Sequence, residues 1–245
     1  MKYMGSKSKI AKDLVPIIQK YINENHITNY IEPFCGGCNI IDKIDCDLKF
    51  ASDKQKYLIA LYKNLDKLDT LPEMVTREHY VKVRDSYNKN TDEFEDWYKG
   101  AVGFLASYNG RFFDGGYSGI VKSSSGVERN YYQEAKRNLE KQKENLRDIV
   151  FICSDYKSIK YISDYLVYCD PPYKNTKQYS SSKDFDSDEF WQWVRERSAN
   201  NIVLVSELEA PDDFECIWEQ EIKRNIEYSK SKVVTEKLFK YKPKV

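Results

Sequence analysis

The run Tyr165-Leu166-Val167-Tyr168-Cys169, followed at once by Asp170-Pro171-Pro172-Tyr173, restricts the fold of this chain more than any other stretch. An unbroken apolar run of that length, closed by two prolines that cannot donate to a β-ladder, predicts a buried strand. Residues 30–32, 48–52, 150–153 and 201–206 give further strand signals, and helical spacing fills residues 8–25, 56–65, 131–146 and 188–199. Strands alternating with helices predict an α/β fold: a Rossmann-like, mixed but mostly parallel sheet, doubly wound by helices. Residues 68–147 break the alternation with charged helical stretches around a Gly/Tyr/Ser-rich loop at 107–126. They are expected to form an inserted, mainly helical module, leaving 1–67 and 148–245 as the core domain.

A chain of 245 residues suits that organisation. Its 20 tyrosines fit either half-buried packing or a surface that stacks on planar ligands. Net charge is zero, which argues against a protein that coats nucleic acid without specificity but leaves room for a local basic groove. Residues 223–244 hold eight Lys/Arg against Glu227 and Glu236, and Lys2, Lys7, Lys9 and Lys12 make the start basic; each run is either a solvated face or a phosphate contact. No run approaches the roughly 18 apolar residues of a membrane span, and the start lacks the pattern of a signal peptide. A cytoplasmic protein with reduced cysteines is therefore expected. Cys35 and Cys38 form a CxxC pair without a second pair, so no metal is expected.

Ligands of open α/β sheets bind outside the carboxyl ends of the strands, so Asp170 and Tyr173 are expected to face a site. The spacing has a chemical logic. An exocyclic amine conjugated to a purine ring is a poor nucleophile because its lone pair is delocalised. A carboxylate and a backbone carbonyl that accept its two N–H groups favour a tetrahedral nitrogen. Pro171 and Pro172 fix φ and present acceptors only, while Tyr173 can stack on a base held out of a duplex. A second signal is Phe34-Cys35-Gly36-Gly37, whose glycines permit a tight turn and close approach to a nucleoside, with a helix expected to start at Ile40-Ile41. Asp53, ending the next strand, could bind a ribose diol or simply cap the helix that follows. No glycine follows three residues after Gly37, a departure from the dinucleotide fingerprint that S-adenosylmethionine, having no pyrophosphate, tolerates.

These motifs together resemble the Dam-type, D12-class family of adenine-N6 DNA methyltransferases in its α arrangement, with the glycine motif first, the Asp-Pro-Pro-Tyr late and an insert between. The resemblance covers most of the chain and implies S-adenosylmethionine as cofactor and double-stranded DNA as partner. It implies that Tyr3, Met4 and Lys7 line the methionine part of the cofactor. Glu32 to Gly37 would be the glycine motif, with Phe34, Cys35, Gly36 and Gly37 at the cofactor, and Asp53 the ribose acid. Asp155 and Tyr156 would frame the cofactor adenine, and Asp170 to Tyr173 would be the catalytic motif, with Asp170 also reaching the cofactor. Residues 68–147 would be the target-recognition domain, and Thr235-Glu236-Lys237-Leu238-Phe239 would close the sheet beside the target-base pocket. A monomer is expected, with a dimer on DNA as the alternative.

Two positions depart from the family. Cys38 stands where a third glycine is common. The loop Tyr108-Asn109-Gly110-Arg111-Phe112-Phe113 keeps only the start of the family's recognition segment and continues as Asp114-Gly115-Gly116-Tyr117, so no target sequence is implied. By chemistry, Arg111 could read a guanine edge, Asn109 an adenine, Tyr108 or Tyr117 could fill the gap of a flipped base, and Lys237 could face phosphate. The residues alone leave three other readings open: a methyltransferase on RNA or a protein amide, a catalytically silent DNA-binding relative, and a nicotinamide-dependent oxidoreductase.

Overall fold

A computed structural model describes residues 1–122, 126, 128–159, 162–173, 185–227 and 230–242, without the side chains of 223–227 and 230–232. Of the eight basic residues at 223–244 only Lys237, Lys240 and Lys242 therefore have described side chains, and part of the 107–126 loop lies outside the described residues. In chain order the elements are α1 (Ala11–Glu24), β1 (Asn29–Glu32), β2 (Leu48–Asp53), α2 (Lys56–Tyr62), α3 (Arg77–Asn88), α4 (Asp96–Leu105), β3 (Ile120–Lys122) and β4 (Glu128–Asn130). They continue with α5 (Tyr131–Leu146), β5 (Ile149–Cys153), β6 (Tyr165–Cys169), α6 (Ser187–Arg197), β7 (Ile202–Glu207), β8 (Phe214–Glu227) and β9 (Lys230–Tyr241). Seven strands form one mixed sheet in the order β5-β2-β1-β6-β7-β9-β8, and β3 pairs with β4 in a separate hairpin. The expected α/β class holds. Two compact units share the chain: Met1–Pro16, Cys35–Ile44 and Ala51–Ser154 in one, Ile17–Phe34, Asp45–Phe50 and Asp155–Val245 in the other.

In the second unit β1 runs parallel to β6, with Ile31 opposite Val167, and β6 parallel to β7, with Cys169 opposite Val205. β9 returns antiparallel to β7, placing Phe239 opposite Val205 and Leu238 opposite Ser206. Because successive side chains point to opposite faces, this register sorts the strands into two surfaces. One carries Ile31, Val167, Cys169, Val203, Val205 and Phe239, which pack with Phe190, Trp191, Trp193 and Val194 of α6. The other carries Leu166, Leu204 and Leu238 beside a buried polar set, Tyr30, Glu32, Tyr168, Ser206 and Glu236. α6 begins where the Asp186 carboxylate accepts from the Asp188 and Glu189 backbone amides, an N-cap that satisfies two of the helix's orphan donors.

In the first unit α2 and α4 pack closely at Gly100, where a Cβ would overlap the Tyr57 carbonyl oxygen. Around them lies an aromatic cluster: Tyr57 stacks on Phe112 at 5.2 Å, and Phe104 lies 4.9 Å from Phe112. α3 and α5 are capped by Thr76 and Asn130, which accept from the His79 and Gln133 amides. The lysine of α4 that is buried, Lys99, donates to the Thr91 carbonyl at 2.6 Å, the pairing a buried ammonium requires.

Two local expectations are corrected. No α-helix follows the glycine turn; a three-residue 3-10 turn, Ile41–Lys43, stands there. The chain must re-enter the sheet at Leu48, so Ile40, Ile41 and Ile44 are buried without a helix to carry them. The helix expected to reach residue 65 ends at Tyr62 and continues as a 3-10 stretch, Leu65–Thr70. Gly100→Ala should lower stability by about 1–3 kcal/mol through overpacking. A thermal melt should then show Tm falling by about 3–10 °C; an unchanged melt would refute the close helix contact.

Candidate functional site

The order of the sheet reverses between β1 and β6, and such a switch point opens a crevice beyond the carboxyl ends of the two strands. Residues 32–34 leave β1 there and residues 170–173 leave β6. Asp170 is half-buried, and Pro171 and Tyr173 are buried. The Tyr173 hydroxyl donates to Glu236 Oε2 at 2.6 Å. Beside it Tyr30 donates to Glu32 Oε1 at 2.7 Å, and the Tyr168 hydroxyl lies 2.8 Å from Ser206 Oγ. Burial pushes the Tyr173 hydroxyl well above the usual phenol range, and the charges of Asp170 and Glu236 push it further. Tyr168 is raised in the same way by burial and then by Asp170, with Glu32 and Glu236 adding to it. Both hydroxyls therefore stay protonated, that of Tyr173 as the donor to Glu236.

Phe34 belongs to an aromatic group in the same unit. Its ring lies 5.3 Å from Tyr156, 5.7 Å from Phe190 and 6.1 Å from Phe185. Tyr156 is buried, yet its hydroxyl has no hydrogen-bond partner among the described residues, an arrangement that favours an added polar ligand or water. Asp155 Oδ1 accepts from the Lys157 amide at 3.0 Å and starts the short turn that carries Tyr156.

The remaining motif residues meet in the first unit. Asp53 joins two loops: Oδ2 accepts from the Gly36 amide at 3.1 Å and Oδ1 from the Gln55 amide at 3.0 Å. It is thus the acid beside the glycine turn, while the cap of the helix that follows is Gln55, whose side chain accepts from the Tyr57 amide at 3.3 Å. Burial raises its pKa above the usual carboxylate range, opposed by those two amides. Gly36 is left-handed, with φ of +44°, and a Cβ on it would stand 2.9 Å from the Tyr3 ring. Only glycine fits this contact. Cys38 is left-handed too, with φ of 53°, and completely buried, which explains why glycine suits that position in the family. Tyr62 donates to the Gly36 carbonyl at 2.8 Å. Lys7 is buried in the short turn Lys7–Lys9. The cysteines are free thiols, and no group of three or more metal-ligating side chains occurs among the described residues.

One contributor was not anticipated. Gln142 of α5 is buried and donates through Nε2 to the Gly37 carbonyl at 3.2 Å, the Cys38 carbonyl at 2.9 Å and Asp42 Oδ2 at 2.9 Å. Nothing local could reveal it, because its partners stand about a hundred residues away in the chain.

The loop residues have mixed fates. Tyr108 is exposed, and Asn109 is left-handed with φ of 55°. Gly110 lies so close to the Lys2 carbonyl that a Cβ would overlap it, and Arg111 Nε lies 3.0 Å from Met4 Sδ. Tyr117 is anchored, donating to the Val75 carbonyl at 2.6 Å with the Arg77 guanidinium 5.0 Å over its ring. Lys237 pairs across the β8–β9 ladder with Glu219, its Nζ 4.0 Å from a carboxylate oxygen.

An acid, two prolines and an aromatic at a switch point suit an enzyme that methylates an amino group. The chain belongs to the D12 class of N6 adenine-specific DNA methyltransferases, whose family model matches residues 3–202. It is 26% identical over 215 residues to the Type II methyltransferase M.MjaIII of Methanocaldococcus jannaschii, covering 78% of this chain and 74% of that protein. It is 28% identical over 197 residues to the retron Ec67 DNA adenine methylase of Escherichia coli, covering 72% and 64%. A DNA adenine methylase of Vibrio cholerae is 27% identical over 192 residues, covering 71% and 64%. The match thus spans about two thirds to three quarters of these relatives' lengths. No helix among the described residues is long and apolar enough to cross a membrane.

Gln142→Met removes the donor to both turn carbonyls at nearly constant length. Titration calorimetry should show S-adenosylmethionine binding about 3- to 10-fold weaker, the effect of a lost buried hydrogen bond. Unchanged affinity would separate Gln142 from the cofactor.

Proposed function

We propose that Asp170, the Pro171 carbonyl and Tyr173 hold the adenine of a duplex DNA target while its N6 accepts a methyl group. The observation that carries this reading is the placement of Asp170 to Tyr173 at the switch point, with Tyr173 fixed as a donor to Glu236. The residues around the glycine turn fit the cofactor. A turn whose Gly36 would clash with Tyr3 if it bore a side chain leaves bare backbone, and the Asp53 carboxylate beside it suits a ribose diol. Phe34 and Tyr156, with its unpartnered hydroxyl, suit a planar heterocycle. Tyr3, Met4, Lys7, Cys35, Gly37 and Asp155 complete this set. When bound, S-adenosylmethionine supplies a methyl carbon made electrophilic by the adjacent sulfonium.

The protein's own task is orientation. Asp170 accepts a hydrogen bond from one N6–H and the Pro171 carbonyl accepts one from the other, which turns the nitrogen lone pair outward. Pro172 stiffens the carbonyl, and Tyr173 stacks on the base. Residues 68–147 act as the target-recognition domain and 1–67 with 148–245 as the catalytic domain. Tyr108, Asn109, Arg111, Tyr117 and Lys237 are the candidate DNA contacts. Of these, exposed Tyr108 is the best supported, because Tyr117 already spends its hydroxyl on Val75.

Asp170→Ala should lower methyl transfer to unmethylated duplex DNA by about 10²–10³-fold, the usual loss on removing a charge-stabilising acceptor or donor. Its melting temperature should stay near that of the parent. Near-native activity would remove Asp170 from the mechanism. Asp53 must be ionised to accept from both ribose hydroxyls, and its pKa is raised. Cofactor affinity should therefore fall, as pH is lowered, earlier than an ordinary aspartate would allow. In the ligand-free protein the sign is opposite: the cost of burying the charge is relieved as pH drops through the raised folded pKa. Titrations of cofactor at stepped pH check this; a flat profile through the mildly acidic range would contradict it.

A further inference from the structure

We propose that Glu236 is a positioning residue for the reaction: it fixes the ring of Tyr173 against the target base through the tyrosine hydroxyl. The inference rests on the reading of Asp170 and Tyr173 given above and extends it to β9, two strands along the sheet from β6. Three observations carry it. The O–H···O distance of 2.6 Å lies in the short range of bonds to a carboxylate. Glu236 is 1% exposed, so its carboxylate was taken out of water at a cost that the Tyr173 hydroxyl helps to offset. The register places it for this role: β9 pairs with β7 only as far as Lys237 opposite Glu207. Glu236 therefore stands just beyond the carboxyl end of β7, at the edge of the sheet where Asp170 leaves β6.

A buried carboxylate at this position argues against a plain packing function. Glu236 shares its side of β9 with Leu238, opposite Ser206, whereas Phe239 points into the apolar core on the other face. An apolar residue at 236 would suffice if the position only filled space. A carboxylate there instead anchors the Tyr173 hydroxyl and so restrains the swing of the ring about the Cα–Cβ bond, beyond what Pro171 and Pro172 fix in the preceding backbone. A ring held in one position loses less conformational freedom when a base stacks on it. Because this restraint acts on the base and not on the cofactor, it should appear in kcat and leave cofactor binding alone.

The test compares three substitutions in the full chain, using labelled S-adenosylmethionine and unmethylated plasmid DNA. Glu236→Leu should lower kcat about 10- to 100-fold, as expected when a buried donor loses its acceptor. Glu236→Gln keeps an acceptor oxygen and should restore kcat to within about 3-fold of the parent. Tyr173→Phe keeps the ring and removes the hydroxyl, so it should lose kcat by a factor similar to that of Glu236→Leu. In the Tyr173→Phe background Glu236→Leu should cost less than about 2-fold more, since the two act as one unit. S-adenosylmethionine affinity should stay unchanged in all variants, which also reports that they fold.

Native kcat for Tyr173→Phe overturns the inference, whether or not the leucine variant folds. So does an undiminished loss from Glu236→Leu in the phenylalanine background. Asp170→Ala run in parallel separates the two levels. If it is inactive while the Glu236 variants are native-like, only the positioning role fails; if it is active, the reading beneath it fails.

Discussion

The parallel pairing of β1 with β6 is the constraint on which the rest of the molecule depends. Parallel neighbours whose connections leave in opposite directions cannot be bridged at their carboxyl ends, so a crevice opens there without any cavity having to be carved from the core. The register, Ile31 opposite Val167, brings Glu32 level with Tyr168. It follows that the residues leaving both strands emerge side by side. The strands tolerate this because Leu166, Val167, Val203 and Leu204 are buried on both faces, and the sheet centre is held by apolar contact.

A consequence of that register is a division of labour between the faces. Apolar side chains on one face pack against α6. On the other, two tyrosine hydroxyls are matched to acids, Tyr30 to Glu32 and Tyr173 to Glu236, and the hydroxyls of Tyr168 and Ser206 are matched to each other. Buried polar groups are tolerable when each donor has an acceptor, and a satisfied network is rigid. Rigidity suits a transfer in which no bond is formed to the protein and orientation supplies the rate. The glycine turn follows a similar logic, since Asp53, Tyr62 and Gln142 occupy its amide and carbonyl groups and leave its shape fixed.

Much of this was legible in the sequence, for a physical reason. The signals of Asp170 to Tyr173 and Cys35 to Gly37 lie in backbone geometry encoded by adjacent prolines and glycines, so they are local. Strands β2, β5, β6 and β7 and helix α5 were equally visible from apolar runs and helical spacing. The resemblance set the segment of Glu236 beside the target-base pocket, but neither its bond to Tyr173 nor the bonds of Gln142 were visible, because each partner is distant in the chain, at 63 residues for Tyr173 and 104 for Cys38. β8 escaped notice because charges interrupt its apolar residues, and pairing along the length of β9 decides its conformation. The missing helix after the glycine turn reflects chain length, as β2 begins too soon for one to form.

Methylation of adenine N6 in duplex DNA is tested most directly by modified-base sequencing of genomic DNA from a methylation-deficient host expressing the protein. N6-methyladenine is expected at a reproducible sequence motif, absent from DNA of cells carrying the Asp170→Ala variant. Unmodified adenine throughout, in cells where the protein is folded and binds S-adenosylmethionine, would contradict it.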